Sequence, residues 1–340
     1  MRFNFDATGI GSVPFQDPQT ACRVIFDNFK SIPFWPQLPK RSFLENMYVQ
    51  FSEEIPGLVL NENNKTIHVD TSKVAGDIEQ VYAKYVEGDL DFFSISEDYA
   101  KGLYKFLEYL KAPSKNMKFV KGQVTGPISY GLSLTDQNKR AIIYDRDLFE
   151  VLTKILIMKT KWQIKRLKKF FPNLIIFIDE PYLVSIGSSF VNINIESAFE
   201  HFDEVSKSIK SDGALVGVHC CGNTDFSLLL KREIDILSFD TYNFTKEFLL
   251  YSTDIKNFLK KGGAIAWGII PSSDAIEKET NQTLSDRLKS ALTILISKGV
   301  EKENLSSLVT PSCGVGTLDD DIAKKILEYA KTLSSKLQGY

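Results

Sequence analysis

The sequence lacks the features that would assign it to several broad classes of protein. Its 340 residues include 41 basic and 43 acidic side chains, a formal net charge of −2, so no basic excess indicates a nucleic-acid partner. No apolar run approaches the roughly 18 residues of a transmembrane helix, and the opening MRFNFDATGIGSVPF has no apolar signal-peptide core. We therefore expect neither a nucleic-acid nor a membrane partner.

Cysteine and histidine are scarce. The chain has four cysteines and three histidines, and Cys220 and Cys221 are adjacent. Four cysteines in a chain of this size do not form the disulfide framework of a small secreted protein, so we expect a reducing, cytoplasmic compartment. The stretch GVHCCGN (217–223), where one histidine meets two cysteines, is therefore the first candidate for a functional site.

Short apolar runs recur along the chain, which is 43% hydrophobic and has no repeat or linker that divides it. Runs of this length suit strands that are buried on both faces, as in parallel sheets. The eight candidate strands are 8–14, 57–61, 119–126, 175–181, 214–220, 236–242, 264–270 and 308–314. Segment 61–73 is predicted to be a loop, and the Pro-rich segment 31–41 is predicted to be irregular but packed.

Helical patterns lie between many of these runs. The clearest are 17–30, with Asp17 as N-cap, and 145–171, 283–299 and 319–337. Eight buried strands that alternate with helices predict a (β/α)8 TIM barrel, as a single α/β domain over residues 1–340. A doubly wound open sheet is the alternative that the strand count leaves open.

Polar and sulfur-bearing side chains gather where the predicted strands end. In a TIM barrel the chemistry takes place at the carboxyl ends of the strands. The residues found there are Gly11, Ser12, Gln123, Thr125, Asp179, Glu180, His219, Cys220, Cys221, Asp240 and Cys313.

A metal site is the first hypothesis for the histidine and cysteines. Side chains alternate along a strand, so His219 and Cys221 face one side and Cys220 faces the other. With Cys313 and Asp240 they supply one imidazole, two thiolates and one carboxylate, a set that suits tetrahedral Zn²⁺. The residues alone leave open that the cysteines are buried as small apolar side chains, or that a vicinal disulfide forms.

The motifs TGIGSVP, VTGPIS, IDEP, HCC and PSCG stand in the order and approximate spacing of the catalytic barrel of cobalamin-independent methionine synthase. The chain resembles this family from about residue 8 to residue 330. The wider group also includes uroporphyrinogen decarboxylase and zinc methyltransferases that take methyl groups from corrinoid proteins. The segment HCCGN is most similar to the corrinoid-linked enzymes.

The resemblance implies a zinc cofactor and its ligands. His219, Cys221 and Cys313 match the family's zinc ligands, and Asp240 stands where the family has a glutamate ligand. Zinc lowers the pKa of a bound thiol, so that the thiolate, which is the nucleophile, is present at neutral pH.

The resemblance also implies substrate contacts. Ser12 matches the serine that holds the carboxylate of homocysteine, and Asp179 matches the acid that holds its amino group. Gly11 and Glu180, their neighbours in the same motifs, are further candidate substrate-binding residues. The family's other glutamate has Glu45 as its nearest candidate here.

Two departures from the family bear on the methyl donor. The sequence shows no second, N-terminal barrel of the kind that helps bind folate in full-length methionine synthases. The segment AWGIIPSSDAIE lacks the family's proton-donor histidine after the seventh strand. A methyl-corrinoid needs no proton on its leaving group, so we prefer that donor to methyl-tetrahydrofolate.

The predicted function is that of a zinc-dependent thiol methyltransferase. We expect it to methylate homocysteine to methionine with a methyl-corrinoid or folate donor, with a corrinoid protein as a possible partner. The alternatives are a corrinoid-protein-linked methyltransferase acting on another thiol, a decarboxylase like uroporphyrinogen decarboxylase, and a non-catalytic zinc-bearing barrel. The decarboxylase needs no metal and would require arginines near the mouth of the barrel.

Overall fold

A curled sheet of seven parallel strands forms the centre of the chain in this computed structural model, which describes residues 2–187 and 191–338. The strands of the described chain are β1 (Asn4–Ala7), β2 (Leu58–Asn61), β3 (Thr66–Val69), β4 (Val120–Thr125), β5 (Leu174–Asp179), β6 (Leu215–Cys220), β7 (Ile236–Phe239), β8 (Ala264–Ile270) and β9 (Ser307–Pro311). The strand order in the sheet is β1-β9-β8-β7-β6-β5-β4, and β2 pairs only with β3. A doubly wound sheet would reverse direction at a switch point. Here the order never reverses, and the first strand pairs with the last.

Helices connect the strands and cover one face of the sheet. They are α1 (Pro18–Asn28), α2 (Val74–Glu87), α3 (Lys101–Tyr109), α4 (Pro127–Ser133), α5 (Arg146–Lys168), α6 (Ile195–Ser211), α7 (Ser227–Leu230), α8 (Thr241–Phe248), α9 (Ser252–Lys260), α10 (Asn281–Ser297) and α11 (Asp320–Leu337). The four predicted helical segments are confirmed as α1, α5, α10 and α11. Asp17 caps α1 as predicted, accepting hydrogen bonds from the backbone N–H groups of Gln19 and Thr20. Within the described chain, no helix is long and apolar enough to cross a membrane.

Six of the predicted strands are confirmed in the central sheet within a few residues. A seventh is confirmed as a strand but lies outside that sheet, and one prediction was wrong. Segment 8–14 follows β1 instead of forming a strand, and 57–61 belongs to an antiparallel hairpin. The predicted loop 61–73 contributes β3 to that hairpin. A short apolar run does not reveal whether its pairing partner is a central strand or a neighbouring hairpin arm.

The Pro-rich segment 31–41 bridges the space between β1 and β4, the two edges of the sheet. The backbone N–H of Trp35 donates to the carbonyl of Lys121 on β4 (3.2 Å), and the N–H of Gln37 donates to the carbonyl of Gly11 (3.1 Å). Proline has no N–H to donate, which keeps this segment from forming a regular ladder. The segment is irregular and packed, as predicted.

The face of the sheet that points away from the helices has its own small apolar core. Its buried members are Phe3, Ile32, Phe119, Ile175, Phe177, Ile236, Ala264, Ala266 and Leu308. Phe177 on β5 lies against Gly217 on β6, where a Cβ atom would be 2.1 Å from Cδ1 of the ring. Glycine at 217 therefore makes room for one of the three phenylalanine rings of this core.

Gly217→Ala should lower the free energy of unfolding by roughly 1–3 kcal/mol, because the Phe177 ring would have to move within a packed interior. Urea unfolding of both proteins measures the difference. Gly76→Ala on α2 is the matched control, since a Cβ atom there meets nothing within 4 Å. The control should be as stable as wild type or more stable by up to about 1 kcal/mol, because alanine favours helix. Equal stability of the two variants would contradict the packing described.

Candidate metal centre

His219, Cys221 and Cys313 come together at the carboxyl end of the sheet. His219 is the fifth residue of β6, Cys221 follows that strand directly, and Cys313 stands two residues beyond β9. One ligand atom from each, an imidazole nitrogen and two Sγ atoms, lie within 4.8 Å of one another. Cys220 is wholly buried in the other core, which the helices share, as the predicted alternation requires.

Hydrogen bonds hold two of these residues in place. The Nδ1 atom of His219 is 3.0 Å from Oγ of Ser238, its register partner on β7. Nε2 of His219 is buried and has no hydrogen-bond partner among the described residues. One held nitrogen and one unpartnered nitrogen are typical of a metal-ligating histidine. The backbone of Cys313 is held by Ser272, whose Oγ accepts from its N–H (3.0 Å) and donates to its carbonyl (2.8 Å).

The two thiols of the cluster have opposite pKa shifts. The Cys313 thiol donates to Cys221 and, together with His219, lowers the pKa of Cys221. The same hydrogen bond and burial raise the pKa of Cys313. Burial is the main cause that raises the pKa of Cys220 to about 12, and it also raises the pKa of Cys22. The cluster thus favours one thiolate, and a thiolate is the form that binds a metal ion.

Asp240, the predicted fourth ligand, lies outside this group of three. Its Oδ1 accepts from the backbone N–H of Asn243 (3.0 Å) and its Oδ2 from the side-chain amide of the same residue (2.7 Å). Asp240 is therefore the N-cap of α8 in this structure. Its role as a ligand stays a prediction.

A cavity of about 260 Å³ opens in front of the cluster. Ser12 lines it and sits against two glycines of the loop after β9. A Cβ atom at Gly314 would lie 2.2 Å from Oγ of Ser12, and one at Gly316 would lie 2.8 Å from its Cβ. Gly11 does not line the cavity, and its Cβ position is 2.7 Å from Oε1 of Gln37. Gly11 therefore serves close packing behind the wall that carries Ser12.

Two buried carboxyl groups also face the cavity. Oδ1 of Asp179 and Oε2 of Glu45 have no hydrogen-bond partner within the part of the chain that the structure describes. The other oxygen of Glu45 accepts from Nη1 of Arg41 (2.7 Å). Burial raises the pKa of Asp179, and it raises the pKa of Glu45 to about 7. Two acceptors that lack donors suit a ligand that brings N–H groups.

Glu180, which is predicted to bind substrate, makes a structural contact with α4. Its carboxylate accepts from the backbone N–H groups of Ile128 (3.1 Å) and Ser129 (2.7 Å) at the start of α4. A Cβ atom at Gly126 would lie 2.1 Å from Oε1 of Glu180. Successive side chains of a strand point to opposite faces, so Glu180 ties β5 to α4 while Asp179 faces the cavity.

Sequence reasoning missed several residues around the cavity. Gln37, Asn46 and Met47 line it from the irregular chain before the hairpin, where no periodic pattern marks which side chains point inward. Lys121 lies beneath the cavity, and its position in the sequence could have marked it as unusual. It is a lysine inside an apolar strand, on the same face as Gln123.

Comparisons with protein-family models and with curated protein sequences find no match. Among solved structures, the chain is similar to a B12-independent methionine synthase from Shewanella sp. W3-18-1 in complex with selenomethionine. The TM-score is 0.60 at 14% sequence identity, over 99% of this chain and 98% of that one. At this identity the likeness concerns the fold, an α/β architecture with a curled parallel sheet.

Metal-free protein, prepared with a chelator, should be alkylated by iodoacetamide at Cys221 at least about tenfold faster than at Cys22 or Cys220 near neutral pH. Cys221 is partly exposed and its pKa is lowered, whereas the other two are buried with raised pKa values. Peptide mass spectrometry over a time course gives the rates. Equal labelling of Cys220 and Cys221 would contradict the two environments.

Proposed function

We propose that the protein is a zinc-dependent thiol methyltransferase that converts homocysteine to methionine. The observation that carries this proposal is the His219, Cys221 and Cys313 cluster at the base of a small cavity. The donor set supports zinc, since two thiolates and an imidazole are typical zinc ligands. The buried Nε2 of His219, which has no hydrogen-bond partner among the described residues, also supports a bound metal ion.

Each residue of the cluster has a defined part in this proposal. His219 through Nε2, and Cys221 and Cys313 through sulfur, would hold the metal. Bound Zn²⁺ would supply a lowered thiol pKa, so that the substrate sulfur is a thiolate at neutral pH. Asp240 is the proposed fourth ligand. To bind the metal it would have to give up its hydrogen bonds from Asn243 at the start of α8.

The cavity supports a small amino acid as the thiol substrate. The unpartnered oxygens of Asp179 and Glu45 would accept hydrogen bonds from its ammonium group, and the Ser12 hydroxyl would donate to its carboxylate. Holding both ends of the amino acid fixes the direction of the sulfur and lowers the entropic part of the barrier. The Shewanella methionine synthase was solved with selenomethionine, an amino acid, which supports this assignment.

The methyl donor that we propose is a methyl-corrinoid, carried by a corrinoid protein. The thiolate forms a bond to the methyl carbon as the bond from methyl to its carrier breaks, and the carrier keeps the electron pair. A folate nitrogen would also need a proton, whereas a corrinoid would not. Of the chain's three histidines, only His219 lines the cavity; His68 lies on β3, and His201 contacts Thr153 (2.9 Å).

Two observations favour folate as the second candidate donor. The Shewanella enzyme is described as B12-independent, and this chain covers 98% of that chain, so a barrel of this length does not argue for a corrinoid. Glu45 lines the cavity, and its pKa near 7 would let it hold a proton at neutral pH.

The decarboxylase alternative has less support. Among the described residues that line the cavity there is no arginine or lysine to bind an anionic tetrapyrrole, and about 260 Å³ suits a smaller molecule. We further propose that the fold is a single-domain TIM barrel in which segment 31–41 takes the position of one strand.

Wild-type protein purified with zinc should hold about one zinc ion per chain, and Cys221→Ser or Cys313→Ser should retain little of it. Elemental analysis under reducing conditions measures the content. Cys220→Ser is the matched control and should keep its zinc, because that side chain faces the helices. Full zinc content in both Cys221→Ser and Cys313→Ser would disprove the site.

Zinc-loaded protein should form methionine from homocysteine with methylcobalamin as a chemical donor, and Cys221→Ser should form at least about 100-fold less, since the thiolate is the nucleophile. Amino-acid analysis of timed reactions measures the product. Methyl-tetrahydrofolate in place of methylcobalamin tests the second donor. Zinc-loaded protein that uses neither donor would contradict the proposed activity.

A further inference from the structure

Lys121 on β4 is a wholly buried lysine beneath the cavity. Its Nζ donates to the carbonyl of Ile10 (2.5 Å) and lies 3.4 Å from Oε1 of Gln123. The ammonium also lies 4.3 Å from the ring centroid of Phe177, which belongs to the small apolar core on the face of the sheet away from the helices. A buried ammonium is costly, and neighbouring hydrogen bonds and aromatic rings offset only part of that cost. A methionine of similar length would fill the same space without this cost.

The hydrogen bond from Lys121 reaches a wall of the cavity. Ile10 and Ser12 both line it, and they are two residues apart. On its other side this segment is held by Gln37, whose backbone N–H donates to the carbonyl of Gly11 (3.1 Å). The segment is outside the regular ladder, so its position depends on such individual bonds.

Gln123, two residues further along the same face of β4, holds segment 31–41 by a side-chain hydrogen bond. Its Nε2 donates to the carbonyl of Trp35 (3.1 Å), and its side chain lies against Gly11. Two polar side chains of β4 thus replace ladder bonds at the open side of the sheet. Of the two, only Lys121 brings a positive charge close to the Ser12 wall. Burial lowers the pKa of Lys121 to about 8, and the negative charge of Asp179 acts in the opposite direction.

We propose that Lys121 is a positioning residue that places Ser12, and with its positive charge favours the substrate's carboxylate at that wall. The inference rests on the proposed function, and it makes Lys121 a determinant of specificity for thiols that carry a carboxylate. Lys121 is too deeply buried to touch the substrate, so it acts through the Ile10–Ser12 segment and through its charge.

The test compares two ligands on zinc-loaded protein by isothermal titration calorimetry. Homocysteine carries the carboxylate, and 3-amino-1-propanethiol is the same thiol without it. Lys121→Met should raise the Kd of homocysteine at least about tenfold more than it changes the Kd of 3-amino-1-propanethiol, because only the first ligand brings an anion to Ser12. Any effect that passes through Asp179 acts on the ammonium group, which both ligands carry. A merely structural role would weaken both ligands equally.

Lys159→Met is the matched control. Lys159 is the other wholly buried lysine of the described chain; it lies on α5, and its Nζ donates to the carbonyl of Ser94 (3.2 Å), away from the cavity. This variant should bind both ligands as wild type does. If Lys121→Met does not fold, Lys121→Gln, which keeps a donor but removes the charge, should show the same selective loss.

Unchanged or equal effects on the two ligands in the Lys121 variants, with zinc retained, would overturn this inference alone. Wild-type protein that holds zinc yet binds neither ligand would overturn the proposed function and the inference together. The wild-type titrations therefore test the function, and the ratio between variants tests Lys121.

Discussion

The register between neighbouring parallel strands is the constraint on which the rest of the site depends. Along β4 to β7 it pairs Thr125 with Asp179, Asp179 with His219, and His219 with Ser238. Because parallel strands end at one edge, this row of four lies at the rim of the sheet. It places an acid beside the histidine and a hydroxyl on the histidine's far side. Cys221 stands two residues after His219, directly beyond the end of β6, and therefore reaches the same rim.

The rim holds several buried polar atoms that nothing in the described chain satisfies. Nε2 of His219, Oδ1 of Asp179 and Oε2 of Glu45 each lack a hydrogen-bond partner there, and all three residues line one cavity. Each such atom costs about 1–3 kcal/mol, which the packed strands and helices below must offset. A ligand with a cationic nitrogen, and a metal ion at the histidine, would remove that cost. The destabilised groups thus coincide with the places where binding is proposed.

Much of the site could be predicted from local pattern, and the failures have identifiable physical causes. Alternation along β6 separates Cys221 from Cys220, and it needed no tertiary knowledge. The same rule applied to Asp179 would have excluded Glu180 from the cavity. For Asp240 the local pattern allows two roles, because a residue at a strand end can face the site or cap the next helix. Glu45 could be named from the resemblance only as a nearest candidate, since its position depends on how an irregular, Pro-rich chain packs between two sheet edges.

That irregular chain links the architecture to recognition. A regular strand between β1 and β4 would close the sheet with ladder hydrogen bonds alone. Segment 31–41 instead uses a few backbone bonds, and side chains of β4 supply the others. The chain that follows carries Glu45 into the cavity, and Gln37 lines the cavity and lies against Gly11, next to Ser12. Substitutions that loosen this closure should therefore change the shape of the cavity before they unfold the sheet, because the contacts that close the sheet are the ones that shape the cavity.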